Sequence, residues 1–386
     1  MPDRPADPPE FDWLYGKNGP KPVPQSETEH TQVMPRQPKG GSTPPPPTGP
    51  PTRGPVAPPP VPPKKRRRTG RYVALGVVFL LIAWVVFLVA VPVNAWKNVS
   101  KLDASPAGAR PSEQPGTTYL LVGSDSRKGL TKKEKKKLGT GGVGVDGGRT
   151  DTIMLLHIGS EKPLLLSIPR DSIVPIPGHG TTKINAAFAY GGPKLLVKTI
   201  EQNTGVRIDH FVEIGFGGFV NAVDAVNGIT ICPTRKMVDK RANLNIKKGC
   251  QHVDGITALG YARSRHTDPA LGDITRAKHQ REVVSAIGAK VKSPWTVLNP
   301  WRYSSLVNAA TSSLRVSEGT GTLDMAHFAR AMTKVNGSSG ATCSMPIRDL
   351  AVHWDTERAL ALMDLIKTDK TDNIPKNLCL PTGLTS

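Results

Sequence analysis

Hydrophobic and polar positions divide the chain into three unlike parts. Residues 1–63 contain no long apolar run, residues 72–91 are apolar throughout, and short apolar runs alternate with longer amphipathic ones after Thr118. The middle run, YVALGVVFLLIAWVVFLVAV, carries no charge. About 20 apolar residues cross the hydrocarbon core of a bilayer as a helix. Because the run starts at Tyr72, farther from the N-terminus than a signal-peptide core, it predicts a permanent transmembrane anchor.

Beyond the anchor, the pattern predicts strands interleaved with helices. Strands are predicted at 118–123, 152–158, 162–168, 206–214 and 228–231. Helices are predicted at 193–205, 216–226, 254–262, 273–292, 300–313, 322–335 and 355–367. GSEK joins the second and third strands and is short enough for an antiparallel hairpin. Such an order indicates an α/β sandwich with a mixed central sheet covered on both faces.

These patterns divide the chain into five predicted segments. They are a Pro-rich tail (1–71), the transmembrane helix (72–91), a stalk (92–116), the α/β domain (117–370) and a C-terminal tail (371–386).

Proline and basic residues define the segment that precedes the anchor. Of the 37 prolines, 21 lie in residues 1–63, a composition that buries too little apolar surface to offset the entropy of ordering. It predicts a disordered, partly polyproline II tail. The run KKRRR (64–68) stands directly before the anchor, and basic residues stay on the cytoplasmic side. We therefore expect a single-pass type II protein of the cell membrane, with its domain outside the cell.

The remaining charge bears on the partners. The net charge is +20, of which +14 follows Arg71. A basic exterior domain suits anionic partners such as lipid headgroups, pyrophosphate or acidic wall polymers. Nucleic acid is the usual alternative for such a balance, but the predicted topology puts the domain in the wrong compartment for DNA.

All four cysteines follow the anchor: Cys232, Cys250, Cys343 and Cys379. An even number outside the cytoplasm predicts two disulfides. Three pairings are possible, and sequence proximity favours Cys232–Cys250 and Cys343–Cys379. A zinc site is disfavoured because the sequence has neither CxxC spacing nor clustered histidines.

Three of the apolar runs have an aspartate and an arginine at one of their two ends. They are YLLVGSDSR (119–127), RTDT with the following TIMLLHI (149–158), and PLLLSIPRD (163–171). Acids and arginines at the tips of buried strands can form a site for a metal ion and a phosphate. A later basic cluster, YARSRH (261–266) and DITRAKHQR (273–281), adds further donors, and Arg276 and Gln280 share one helix face. Each arginine alone would be read as a surface or salt-bridge residue; the set favours an anion site.

In order along the chain, these motifs resemble the LytR–CpsA–Psr family of cell-wall ligases. GSDSR, RTDT, SIPRD, KINAAFAYGG, TGVRIDHFVEI, FVNAVDAVNGI, ALGYARSRH and DITRAKHQ carry the resemblance over about residues 117–290. It implies an α/β/α sandwich with a hydrophobic tunnel for a prenyl chain. The implied activity is transfer of a glycopolymer, as a phosphodiester, from a polyprenyl-pyrophosphate carrier to peptidoglycan, at the 6-hydroxyl of N-acetylmuramic acid. Which polymer is carried, teichoic acid, capsule or another, stays open.

The resemblance also implies roles for single residues. Asp125 and Asp151 match acids expected to hold Mg²⁺, and with Arg170 and Arg276 they form the expected catalytic set. The groups expected around the pyrophosphate are Arg149, Arg170, Arg263, Arg265, Arg276 and Gln280, with Lys183 as a further candidate. Asp171 is expected to orient Arg170, and Asp151 is an alternative general base. Family members usually carry an arginine where this chain has His279, which is cationic only when protonated.

Two other functions compete with the ligase. A transcriptional attenuator fits the +20 charge but not the predicted topology, and the sequence shows no helix-turn-helix pattern. A non-catalytic binder of lipid or wall polymer would not need the full set of acids and arginines.

Overall fold

The structure is a computed structural model that describes residues 69–125, 150–264, 272–291, 293–335 and 338–384. Helix α1 (Thr69–Ala95) contains the predicted anchor and is long and apolar enough to cross a membrane. The predicted tail lies outside the described residues as far as residue 68.

Seven strands form a mixed central sheet, as predicted. In chain order they are β1 (Ser100–Leu102), β2 (Thr117–Ser124), β3 (Thr150–Ile158), β4 (Leu164–Ile168), β7 (His210–Gly215), β12 (Leu314–Ser317) and β13 (Ala341–Ser344). Their order across the sheet is β1-β12-β7-β2-β3-β4-β13. The pairs β2–β3, β3–β4 and β12–β7 are antiparallel, and the other three pairs are parallel.

Helices and short hairpins complete the fold. The helices are α2 (Asn185–Thr204), α3 (Phe216–Ala225), α4 (Gly255–Arg263), α5 (Gly272–Val291), α6 (Pro294–Leu298), α7 (Pro300–Ser313), α8 (Thr322–Met332) and α9 (Thr356–Lys367). The short strands are β5 (Ile173–Ile176), β6 (Gly180–Lys183), β8 (Ile229–Ile231), β9 (Met237–Asp239), β10 (Leu244–Ile246) and β11 (Gln251–Val253), which pair as β5–β6, β8–β11 and β9–β10.

Alternation along the central strands covers both faces of the sheet. Leu120 and Leu155 point to a cluster that includes Leu196 of α2 and Leu362 of α9. Their neighbours point to the opposite face, where the cluster includes Ala331 of α8. Successive side chains of a strand alternate between faces, so a run such as LLL is buried only when helices cover both. The predicted α/β/α sandwich is therefore confirmed.

The structure differs from the sequence prediction at several boundaries. Ser100–Leu102, within the predicted stalk, forms the edge strand β1 on β12. Arg110 of the same segment donates from Nε to the buried carboxylate of Glu201 at 3.1 Å. Strands of three or four residues are too short to show a period, so β1, β12 and β13 were not predicted. Helix α2 begins at Asn185 and kinks where Gly192 has a φ of 63°, which hid its first turns.

The C-terminal segment also docks on the sheet rather than forming a separate tail. The Ser344 amide donates to the Leu380 carbonyl at 3.1 Å, and the Ile347 amide donates to that of Gly383 at 2.9 Å. The structure joins Cys343 to Cys379 and Cys232 to Cys250, the pairs that sequence proximity favours. The second pair extends the β8–β11 ladder, in which Ile231 faces Gln251.

Candidate active site at the edge of the sheet

The candidate site lies along one edge of the central sheet. Strand β2 runs parallel to β7 and antiparallel to β3, and β4 is antiparallel to β3. The C-terminal ends of β7, β2 and β4 therefore meet the N-terminal end of β3 at the same edge. Asp125 follows β2, Asp151 is the second residue of β3, and Arg170 follows β4 by two positions. The sheet topology thus gathers strand tips that are separate in sequence.

Asp151 occupies an irregular position in the strand ladder. Gly123 pairs with Thr152, and the next pair is Ser124 with Thr150. Asp151 is therefore the extra residue of a β-bulge. Bulges bend a strand and re-aim a side chain, and the Asp151 side chain remains 24% exposed. The bulge leaves this carboxylate at the rim of the sheet.

Arg170 links the two acids of its neighbourhood. Its Nη1 forms an ion pair with Oδ1 of Asp151, and its Nε donates to Oδ2 of Asp171 at 3.3 Å. The other oxygen of Asp171 contacts Nζ of Lys183 at 2.8 Å. Lys183 is held there because it pairs with Ile173 in the β5–β6 hairpin. Asp171 is mostly buried and fixes both cations, in agreement with its expected orienting role.

Helix α5 brings the later cluster to the same edge. Gln280 Nε2 donates to the backbone carbonyl of Asp151 at 3.2 Å. Arg276 lies one turn earlier and is only 3% exposed. Residues four apart on a helix lie on one face, so the hydrogen bond of Gln280 places Arg276 on the face directed at β3. A guanidinium buried on that face supplies positive charge at low solvent screening.

Arg263 is the last residue of α4 and lies on the β7 side of the candidate site. Its guanidinium carbon lies 4.7 Å from the ring centroid of Phe216, which begins α3 directly after β7. Such stacking fixes the orientation of a guanidinium, whose donor geometry matches the oxygens of a phosphate. Arg263 therefore stands over the end of β7, the neighbour of β2.

His279 is packed into the contact between α4 and α5. Its ring centroid lies 4.2 Å from that of Tyr261, and the side chain is mostly buried. The Tyr261 hydroxyl donates to Glu282 at 2.6 Å. Its pKa is raised mainly by burial and further by this hydrogen bond. His279 thus helps fix α5 against α4.

A buried network that the sequence patterns did not predict lies behind the acids. Ser124 Oγ donates to Oε1 of Glu213 at 2.7 Å, and Nη1 of Arg315 contacts Oε2 at 3.0 Å. Glu213 is only 2% exposed in the middle of β7. A glutamate inside the apolar stretch HFVEI was the signal that could have identified it, because buried carboxylates are paired. The predicted site residues Arg149 and Arg265 lie outside the described residues.

The donor set limits what the edge can hold. Within the described ranges, no group of three or more His, Cys, Asp and Glu residues is placed to bind a metal. Asp125 and Asp151 therefore offer at most two carboxylates. That set fits Mg²⁺, which takes one or two carboxylates and completes its shell with water and phosphate oxygens. Together with Arg170, Arg276 and Arg263, the edge is chemically suited to a phosphate-containing anion.

Comparison with known proteins identifies relatives of this chain. The family model described as "LytR_cpsA_psr family" matches residues 91–367. The chain is 44% identical over 297 residues to the probable cell wall biosynthesis protein LcpB of Corynebacterium glutamicum, covering 75% of this chain and 70% of LcpB. It is 36% identical over 184 residues to the polyisoprenyl-teichoic acid–peptidoglycan teichoic acid transferase TagT of Bacillus subtilis. That match covers 46% of this chain and 53% of TagT.

A solved structure shares the fold. The LytR-Csp2A-Psr enzyme from Actinomyces oris superposes with a TM-score of 0.58 at 21% identity, covering 71% of this chain and 98% of the other. At this identity the likeness concerns the fold alone, and it agrees with the α/β/α arrangement of the described residues.

Proposed function

This chain belongs to the LytR–CpsA–Psr family, as its motifs indicated, and we propose that it transfers a glycopolymer to peptidoglycan in cell wall biosynthesis. The donor is a polyprenyl-pyrophosphate-linked glycopolymer, and the acceptor is the 6-hydroxyl of N-acetylmuramic acid. The acceptor hydroxyl loses its proton to solvent, and its oxygen forms a new P–O bond to the phosphorus that carries the glycopolymer. The P–O bond to the bridging oxygen breaks, so polyprenyl monophosphate leaves and a phosphodiester remains on the wall.

The convergence of Asp151, Arg170 and Gln280 supports this proposal most directly. These residues come from β3, the loop after β4, and α5, and their contacts join them at one edge. Phosphoryl transfer depends mainly on positioning and on neutralising charge. Arg170 and Arg276 stabilise the negative charge that develops on the leaving phosphate. The ion pair with Arg170 favours a charge-holding role for Asp151 over the alternative of a general base.

Mg²⁺ is part of the proposal, with Asp125 and Asp151 as its protein ligands. When bound, the ion would neutralise negative charge on the pyrophosphate. Asp171 and Lys183 hold Arg170 in place, and Gln280 fixes the backbone of the bulge at Asp151.

The lipid-linked nature of the donor rests on three observations. An apolar cluster of Phe216, Val220 and Leu259, with partly buried Phe219 and Ile256 packed against it, borders Arg263. The anchor helix α1 would keep the domain at a membrane, and the name of TagT specifies a polyisoprenyl-linked substrate. The type II orientation, with the domain outside the cell, belongs to the same proposal because peptidoglycan lies there.

The test is a transfer assay with the full chain in phospholipid vesicles. A synthetic polyprenyl-pyrophosphate-linked saccharide, peptidoglycan and Mg²⁺ are supplied, and both polyprenyl monophosphate release and saccharide bound to peptidoglycan are measured. We expect both products from the parent chain and strong losses for Arg170→Ala and Asp151→Ala. Lys367→Ala is the matched control, since Lys367 is the last residue of α9 and its side chain is 39% exposed.

Two results would replace this proposal. Retained donor binding without either product would indicate a non-catalytic binder. Salt-resistant, sequence-specific DNA binding by the same preparation would favour the attenuator hypothesis instead. Equal activity of the parent and both site variants would contradict the assignment of the edge.

A further inference from the structure

Large apolar side chains are exposed where the domain approaches the anchor helix. Trp295 and Leu298 of α6 are 63% and 59% exposed, and Trp301 of α7 is 79% exposed. Among the described residues, the hydrophobic clusters include none of the three. Single exposed apolar residues are ordinary on a protein surface. Three within seven positions, two of them tryptophan, form an apolar surface that the core does not explain.

This apolar surface, formed by Trp295, Leu298 and Trp301, is continuous with a contact to the anchor. The Tyr303 hydroxyl, on α7, donates to the backbone carbonyl of Leu88 at 2.7 Å. The Tyr303 ring centroid lies 6.0 Å from that of Phe87. Leu88 precedes the end of α1 by seven residues, which corresponds to about 10 Å along a helix axis. Helix α7 therefore meets the anchor within its apolar run.

The contact extends along one side of α1. Trp84, Phe87, Leu88, Val91, Pro92 and Ala95 are partly or fully buried, whereas the other residues from 84 to 95 are exposed. Positions three and four apart share one face of a helix, and α7 packs against α1. When α1 spans a bilayer, this packing holds the N-terminal end of α7 at the level of the bilayer surface.

We propose that α6 and the first turn of α7 lie in the interfacial layer of the membrane, with Trp295, Leu298 and Trp301 in contact with lipid. Tryptophan concentrates at this layer because its ring is apolar and its N–H is polar. Exposed basic residues flank the contact: Lys97 and Lys101 follow the anchor, and Arg302 follows Trp301. They match anionic lipid headgroups.

The proposal concerns the placement of the domain and requires only that α1 spans the membrane. A single helix leaves a domain free to tilt and rotate, whereas a second contact with the bilayer restricts it. The apolar surface therefore acts as a second attachment that sets the orientation of the domain relative to the membrane. The proposed membrane contact does not depend on the transfer reaction.

Tryptophan fluorescence of the full chain in vesicles tests this placement. The vesicles contain phosphatidylcholine and phosphatidylglycerol, and brominated phosphatidylcholine serves as a quencher within the bilayer. Subtracting the spectrum of Trp295→Phe/Trp301→Phe from that of the parent isolates the emission of the two residues. We expect brominated lipid to lower that emission about twofold or more, and aqueous iodide to leave it nearly unchanged.

Trp354→Phe provides the matched control, because Trp354 packs with Ile347 and Val352. These residues follow β13, the outermost strand on the side of the sheet opposite to β1. Its subtracted emission should not respond to brominated lipid. Circular dichroism verifies that the phenylalanine variants, which keep apolar rings, are folded. Quenching of Trp295 and Trp301 by iodide but not by lipid would overturn the proposal. So would protection from both quenchers that increases with the protein-to-lipid ratio, since a second copy of the chain would then cover the surface.

Discussion

In the interior of the sheet, Glu213 accepts a hydrogen bond of 2.7 Å from Ser124, which is the residue before Asp125. The carboxylate is 2% exposed, and its second oxygen contacts Arg315 at 3.0 Å. This pairing ties the end of β2 to β7 directly behind the candidate metal ligand. Both carboxylate oxygens of Glu213 have partners, so the function of this residue is to hold the end of β2 in place.

Replacing Glu213 should therefore affect both stability and activity. We expect Glu213→Leu to lower the free energy of unfolding by about 1–3 kcal/mol, since Ser124 loses a buried acceptor. Glu213→Gln keeps an acceptor and should lose less. Urea unfolding measures the first effect, and transfer assays on the folded fraction measure the second. A Leu variant as active and as stable as the parent would show that the network does not hold Asp125.

The ion pair of Asp151 and Arg170 predicts strongly non-additive variants. Asp151→Asn and Arg170→Gln should each lower transfer by about 10²–10³-fold, because the first weakens a proposed metal ligand and the second removes a positive charge at the reacting phosphate. The double variant should be little worse than the poorer single one, since the two residues act as a unit. Lys367→Gln is the control, because Lys367 and Asp364 form a surface pair at 3.6 Å. Fully additive losses would mean that the two residues act separately.

Metal dependence distinguishes Asp125 from the arginines. Chelation of divalent ions should abolish transfer by the parent chain, and Mg²⁺ should restore it. Asp125→Asn should raise the Mg²⁺ concentration needed for half-maximal activity, because one of two carboxylate ligands is weakened. Lys183→Ala should leave that concentration unchanged while lowering the rate. The assignment fails when chelation has no effect on the parent chain.

His157 lies near the C-terminal end of β3, opposite to the end that carries Asp151. Its surroundings predict that the stability of the fold depends on pH. The ring is buried, with Nε2 3.3 Å from Asp369 and Nδ1 3.0 Å from Thr118 Oγ1. Burial lowers the pKa of His157 below its usual 6.5, against the opposing attraction of Asp369. The unfolded chain then binds more protons below pH 6.5, so stability is lost as the pH falls through that value.

Unfolding of the parent and of His157→Gln between about pH 5 and pH 7.5 measures this slope. The variant should show a weaker dependence. Asp369 does not confound the range, because its pKa is lowered from the usual 3.8: burial raises it, but the hydrogen bonds from Ser160 and the interaction with His157 together outweigh burial. Identical slopes for the two chains would assign the dependence to other groups.

The cysteine pairs predict disulfides that can be mapped directly. Peptide mapping without reduction should recover Cys232 linked to Cys250 and Cys343 linked to Cys379. Cys343→Ser/Cys379→Ser should lower the stability by about 2–5 kcal/mol, because the link holds the C-terminal segment on the sheet. Recovery of any other pairing would contradict the arrangement of β13 and that segment.

Particular elements show how far sequence patterns reach. The apolar runs of β2, β3 and β4 identified the central strands, because two-sided burial leaves long uninterrupted apolar stretches. Pro and Gly punctuation located the second part of α2. The edge strand β1 and strands β12 and β13 were missed, because three or four residues show no period and their pairing partners are distant in sequence.

The sequence by itself determined the anchor, the class of fold, and the residue types of an anion site, since these depend on local composition and motif order. Only the tertiary structure placed Asp151 in a bulge, set Arg170 against it, and brought Gln280 from 129 positions away to its backbone carbonyl. It likewise packed α7, which carries Trp301, against the anchor. Strand register and helix packing decide such contacts, and both follow from long-range burial that no local pattern encodes.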